Sequence, residues 1–121
     1  MENQLDILHL PKRNSNLNGE IFISGSKSES NRLLILNALF HQVFEIENLS
    51  NAEDTQLLNK ALQNSESLID IHHAGTAMRF LTAYFSIQEN RKTILTGSDR
   101  MKQRPIGILV EALRSLGADI S

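Results

Sequence analysis

The sequence predicts an α/β fold, and three observations carry that reading. Short runs of β-branched and aromatic residues alternate with longer leucine- and alanine-rich segments of helical length. Glycine or another small residue marks the passage from one to the next, as at Gly25 and at Ala74-Gly75. No linker or low-complexity tract interrupts the alternation.

Taken in order, Leu5 to Leu10 is a short apolar segment closed by Pro11 and reads as an initial strand. Residues 12–18 are polar and form a connection. Glu20 to Ser24 reads as a strand that stops at Gly25. Ser26 and Glu29 stand in the relation of a capping box, so a helix is expected from Ser26 to about Phe40. Val43 to Glu47 alternates at period two, as a half-buried strand does. Asn51 can cap a second helix, with Leu57, Leu58, Ala61 and Leu62 on one face. After a turn at residues 64–66, Ser67 to Ile71 reads as a strand. A third helix is expected from Thr76, its cap, to Ile87, and Lys92 to Thr96 as a further strand. Pro105 suits the first turn of a fourth helix, which Gly117 is placed to end. Ala118 to Ser121 looks like a strand beginning, so the chain reads as the front piece of a longer protein.

With 121 residues, the chain has room for one ordinary domain. There is no cysteine, which removes disulfides, thiolate nucleophiles and thiolate metal sites. The first residues lack the basic and apolar regions of a signal peptide, and no apolar run approaches the roughly 18 residues a membrane span needs. A cytoplasmic protein without a membrane partner is expected. The net charge of −2 argues against bulk attraction to nucleic acid. Yet Lys27, Arg32, Arg79, Arg100, Lys102 and Arg104 are half of the 12 basic residues and fall in three short stretches. Those stretches call for a small anionic ligand.

The first stretch is Gly25-Ser26-Lys27-Ser28-Glu29-Ser30-Asn31-Arg32. It puts Lys27, Ser28 and free backbone N–H groups at the positive end of a helix dipole, a place suited to an anion. A Walker loop needs Gly directly before the lysine, where Ser26 stands. Ser24-x-x-Lys27 matches the penicillin-binding pattern by letter, without its companion motifs. The plain alternative is that Ser26 only caps the helix and Lys27 is solvated. In the second stretch, His72-His73-Ala74-Gly75-Thr76-Ala77-Met78-Arg79, small residues again precede a helix with a cation one turn on. Adjacent histidines on a strand point to opposite faces and cannot chelate one ion, so no metal site is expected. In the third, Leu95 to Gly107, three basic residues precede Pro105. A solvated loop is the ordinary account of such a run, and the absence of interleaved aromatics weakens a nucleic-acid reading. Arg104, just before a helix start, sits where an anion would dock. Three helix starts of this kind can converge on one edge of a sheet.

Together the three stretches resemble the 5-enolpyruvylshikimate-3-phosphate synthase family of enolpyruvyl transferases. The likeness rests on Gly25-Ser26-Lys27-Ser28 with Ser30-Asn31-Arg32, on Ala74 to Arg79, and on Leu95-Thr96-Gly97 with Arg100 to Gly107. It implies an inside-out α/β barrel fold built of βαβαββ units, present here incompletely. Residues 1–18 would be the first strand and connection of one domain. Residues 19–121 would form the first such unit of the other and the start of the next.

The implied reaction transfers the enolpyruvyl group of phosphoenolpyruvate to the 5-hydroxyl of shikimate 3-phosphate, without metal or organic cofactor, in a monomer. By position, Lys27, Ser28 and Arg32 would hold shikimate 3-phosphate. Lys27, Gly75 and Arg104 would hold phosphoenolpyruvate, with Thr76 and Arg79 beside that site. The family's acid–base carboxylates would lie outside this portion, so no catalytic residue is expected in it and the chain alone would be inactive. A non-catalytic anion-binding module, or the related enolpyruvyl transferase acting on UDP-N-acetylglucosamine, are the alternatives; the latter family has a Lys-Asn pair and a cysteine loop where this chain has Lys27-Ser28 and no cysteine. Two residues depart from the pattern: His73 stands where Asn is usual, and Phe80 where Pro is common. The segment between Asn64 and His72 is also short for the family.

Overall fold

The computed structural model describes residues 8–12, 16 and 18–121. Its elements are α1 (Lys27–Leu39), α2 (Glu53–Gln63), β1 (Leu68–Asp70), α3 (Gly75–Ser86), β2 (Ile94–Thr96), α4 (Asp99–Lys102) and α5 (Gly107–Ser115). β1 and β2 pair in parallel, with Leu68 opposite Ile94, Ile69 opposite Leu95 and Asp70 opposite Thr96. Parallel neighbours need a crossover, and α3 supplies it, so β1-α3-β2 is an α/β unit. Ile94 N–H donates to Ser67 O, and Ser98 N–H to His72 O at 3.0 Å, carrying the pairing past both strand ends.

The core lies where α1, α2 and α3 meet β1. Leu34, Leu58, Ala61, Ile69, Ile71, Ala77, Leu81 and Phe85 are all buried there. A buried polar seam joins α1 to α2: Thr55 Oγ1 donates to Asn31 Oδ1 at 2.7 Å, and Ser50 N–H to Ser30 Oγ at 3.0 Å. These bonds satisfy groups that burial would otherwise leave without water. On the other side of α1, Leu36 and Leu39 line an apolar groove of about 420 Å³ with Phe80 and Tyr84 of α3, and Arg32 borders it.

Helix ends follow their local chemistry. Ser26 caps α1, its Oγ accepting from Glu29 N–H at 3.4 Å. The α1 C-terminus closes through Gln42 N–H to Asn37 O and His41 N–H to Ala38 O, with His41 at φ 59°. Gly117, at φ 100°, ends α5 in the same way: its N–H bonds Arg114 O, and Ala118 N–H bonds Leu113 O. A β-carbon on Gly25 would strike the carbonyl oxygen of Asn48, so only glycine lets these two backbone segments lie together.

Several expectations are corrected. Glu20–Ser24 forms no strand; Ile21, Phe22 and Ile23 are 88%, 94% and 79% exposed. Strand composition gives an element only when a partner supplies hydrogen bonds, and no strand among the described residues lies beside this one. Val43–Glu47 is irregular for a related reason: His41 and Gln42 are left-handed, and Phe44 N–H is taken by Asn37 Oδ1. Of the proposed Leu5–Leu10 strand, residues 8–10 are exposed and unpaired, while residues 5–7 lie outside the described ones. The caps of α2 and α3 are Ala52 and Ala74, not Asn51 and Thr76. α5 begins two residues after Pro105, and the preceding stretch contains the short helix α4, capped by Ser98.

Candidate functional site at the start of α3

The first turn of α3 is open. Ala74 has no side chain that can cap it, and Met78 is the first residue whose N–H finds a helical carbonyl, Ala74 O at 3.0 Å. Among the described residues the N–H groups of Gly75, Thr76 and Ala77 have no partner. Onto this end comes Arg104: its Nη1 occupies the space a β-carbon on Gly75 would fill. Glycine is therefore what lets a guanidinium lie against the helix start. Arg79, one turn into α3, donates from Nη1 to Gly75 O at 3.2 Å and from Nη2 to Pro105 O at 3.0 Å. It ties the helix start to the chain that follows Arg104. The fold thus gathers Gly75, Arg79 and Arg104 from two sequence stretches, with Thr76 the second residue of the helix.

Beside them lies a cavity of about 220 Å³ lined by His73, Ser98, Arg100, Met101 and Arg104. Ser98 Oγ is 2.9 Å from His73 Nδ1 and accepts from Met101 N–H at 3.2 Å. The two histidines lie beyond β1 in a turn rather than on a strand, so alternation of faces does not govern them. His72 is left-handed at φ 46°, its N–H bonded to Asp70 Oδ1 at 2.8 Å. Among the described residues no group of three His, Asp or Glu could hold a metal ion.

The residues expected to hold the other substrate form a second group, on the first turns of α1. Arg32 Nη1 folds back to Ser28 O at 2.9 Å. Lys27 Nζ lies 3.6 Å from Asp54 Oδ2 at the start of α2. No hydrogen bond or ion pair among the described residues joins Lys27, Ser28 or Arg32 to Gly75, Arg79 or Arg104. Lys102 is engaged with Asp99 at 3.6 Å on α4. Sequence reasoning missed Asp54 and Ser98. A Ser-Asp pair opening a charged run is a cap signal that could have found Ser98; Asp54 is set by the packing of α2 on α1, which has no local mark.

Both groups lie within stretches matched by one protein family. The protein-family model for EPSP synthase (3-phosphoshikimate 1-carboxyvinyltransferase) matches residues 11–69 and 59–121. The chain belongs to the EPSP synthase family. The 3-phosphoshikimate 1-carboxyvinyltransferase of Bacteroides fragilis strain YCH46 is 53% identical over 106 residues, covering 88% of this chain and 26% of that protein. The enzyme of that name from Buchnera aphidicola subsp. Schizaphis graminum is 36% identical over 132 residues, covering 88% of this chain and 31% of the relative. That from Colwellia psychrerythraea is 39% identical over 130 residues, covering 86% and 30%. The chain therefore spans between a quarter and a third of the length of these EPSP synthase relatives. The last two alignments are longer than this chain, so those relatives carry residues within the matched region that it lacks. No solved structure matches the chain. No helix among the described residues is long and apolar enough to cross a membrane.

Proposed function

We propose that this chain supplies substrate-binding residues to a 3-phosphoshikimate 1-carboxyvinyltransferase. The observation that carries the reading is the Arg104 guanidinium lying against Gly75 at the uncapped start of α3. A helix end with free N–H groups attracts an anion, and a guanidinium beside it can grip a carboxylate or phosphate through two N–H bonds. Phosphoenolpyruvate carries both groups and is assigned to Gly75 and Arg104, with Thr76 beside it and Arg79 holding the two segments together. Shikimate 3-phosphate is assigned to Ser28 and Arg32 on α1, and Lys27 serves both substrates.

In the reaction, the 5-hydroxyl oxygen of shikimate 3-phosphate gives up its proton and adds to C2 of phosphoenolpyruvate as C3 takes up a proton. Phosphate then leaves the tetrahedral C2 as C3 loses a proton, which restores the double bond. Both reactants are polyanions, so fixed cations offset their repulsion and stabilise charge that develops at that centre. Holding the two in line lowers the entropic part of the barrier. The proton-transferring carboxylates belong to the rest of the enzyme, and this chain by itself is inactive. The proposed architecture is the enolpyruvyl transferase fold. Residues 1–18 are assigned to one domain of the full-length enzyme, and residues 19–121 to the first repeat unit of the other and the start of the next. The enzyme is proposed to be cytoplasmic and monomeric.

The test is phosphate release by the full-length protein given phosphoenolpyruvate and shikimate 3-phosphate. Release with that pair is expected. Binding of both without release would mean a non-catalytic anion-binding module, and release only with UDP-N-acetylglucosamine would move the protein to the amino-sugar reaction.

A further inference from the structure

His73 and Ser98 come from different stretches and meet on the wall of the cavity that Arg100 and Arg104 also line. Ser98 Oγ already accepts the Met101 N–H at 3.2 Å, which leaves its own proton to donate. His73 Nδ1, at 2.9 Å, is the acceptor for that proton in the tautomer that carries its own hydrogen at Nε2. An imidazole that accepts at Nδ1 carries its proton at Nε2. The ring then offers an N–H donor to a cavity that Ser98, Arg100, Met101 and Arg104 also line.

Resting on the function proposed above, we propose that His73 is a further substrate-binding residue, donating from Nε2 to the anion held by Arg104, and that Ser98 is a positioning residue fixing that tautomer. The backbone supports the placement. The left-handed turn at His72 is pinned by Asp70 on one side and, through Ser98 N–H to His72 O at 3.0 Å, by the α4 start on the other. His73 follows that turn directly and precedes Ala74 and Gly75. The ligand class is a small carboxylate or phosphate, which in the proposed reaction is phosphoenolpyruvate rather than shikimate 3-phosphate.

The test uses the full-length protein. His73→Ala should raise KM for phosphoenolpyruvate about tenfold, the scale of a hydrogen bond to a charged group. KM for shikimate 3-phosphate should stay within about twofold of the native value. His73→Gln, whose amide can place an N–H near the Nε2 position, should recover most of the loss. Ser98→Ala should raise the same KM, and Ser98→Thr, which keeps both the cap and the hydroxyl, should not. An unchanged KM for phosphoenolpyruvate in His73→Ala, or an equal rise for both substrates, overturns the proposal.

A second measurement does not depend on turnover. In histidine-¹⁵N-labelled native protein, the His73 ring should show a bare Nδ1 and a protonated Nε2, with Nε2 shifting as inorganic phosphate is added. A proton on Nδ1, or no response to phosphate, overturns the proposal. Absence of phosphate release by the native enzyme would instead remove the proposed reaction, while the ring spectrum still decides whether His73 meets an anion.

Discussion

The Arg104 guanidinium and the α-carbon of Gly75 occupy adjoining space, so that no side chain can be added at 75 without moving Arg104. The obstructed atom is the far end of a flexible side chain, not backbone. Gly75→Ala should therefore leave the unfolding midpoint of the full-length protein nearly unchanged, and alanine also suits a helix start better than glycine. The cost should fall on binding, as a raised KM for phosphoenolpyruvate with KM for shikimate 3-phosphate little altered. Steady-state kinetics beside a denaturation curve separates the two, and equal affinity for phosphoenolpyruvate would remove Arg104 from the site.

Lys27 bears on both substrates in the proposed site. Lys27→Ala should lower kcat/KM by about 2–4 kcal/mol of transition-state stabilisation. Asp54, 3.6 Å from its ammonium, should matter through lysine placement, so Asp54→Asn should lower kcat/KM by less and have little further effect when Lys27 is already alanine. A double-mutant cycle checks this; additive losses would mean that the two act separately.

Thr55→Val keeps the side-chain shape and removes the hydroxyl that Asn31 Oδ1 accepts. Asn31 is buried, and its Nδ2 has no partner among the described residues, so its amide would lose its remaining bond. A loss of about 1–3 kcal/mol in unfolding free energy is expected. Urea denaturation of the full-length protein measures it.

Gly117→Ala puts a β-carbon at φ 100°, where nothing in the surroundings collides but the backbone itself is unfavourable. Destabilisation of about 1–2 kcal/mol is expected, without change in either KM. A shift in substrate affinity would show that the end of α5 reaches the site.

Where the chain's own chemistry decides an outcome, the sequence was legible. Ser26 with Glu29 announced the start of α1, and Gly117 announced the end of α5, because a cap is made by residues a few positions apart. The order β1, α3, β2 followed from alternation alone; that the two strands pair in parallel is what the fold adds. Glu20–Ser24 misled because strand-forming side chains say nothing about whether a neighbour is there to pair with. Ala52 and Ala74 were invisible as caps because they act through backbone conformation and offer no side-chain signal. At the site, Gly75 and Arg104 were both named, but their contact spans separate stretches and could not be read from spacing. The fold showed why both types are needed: one withholds bulk so the other can approach. A four-residue helix has too few positions to display a period, so at Ser98 the Ser-Asp cap signal was the one mark available.

Arg79 has one further meaning. Its two terminal nitrogens reach carbonyls on different segments, Gly75 O and Pro105 O, so its role is that of a brace set by width rather than by sign. A lysine there would keep the formal charge and still fail, having one nitrogen for two anchors. Tallying positive residues near the cleft would thus overcount what is left to greet a ligand.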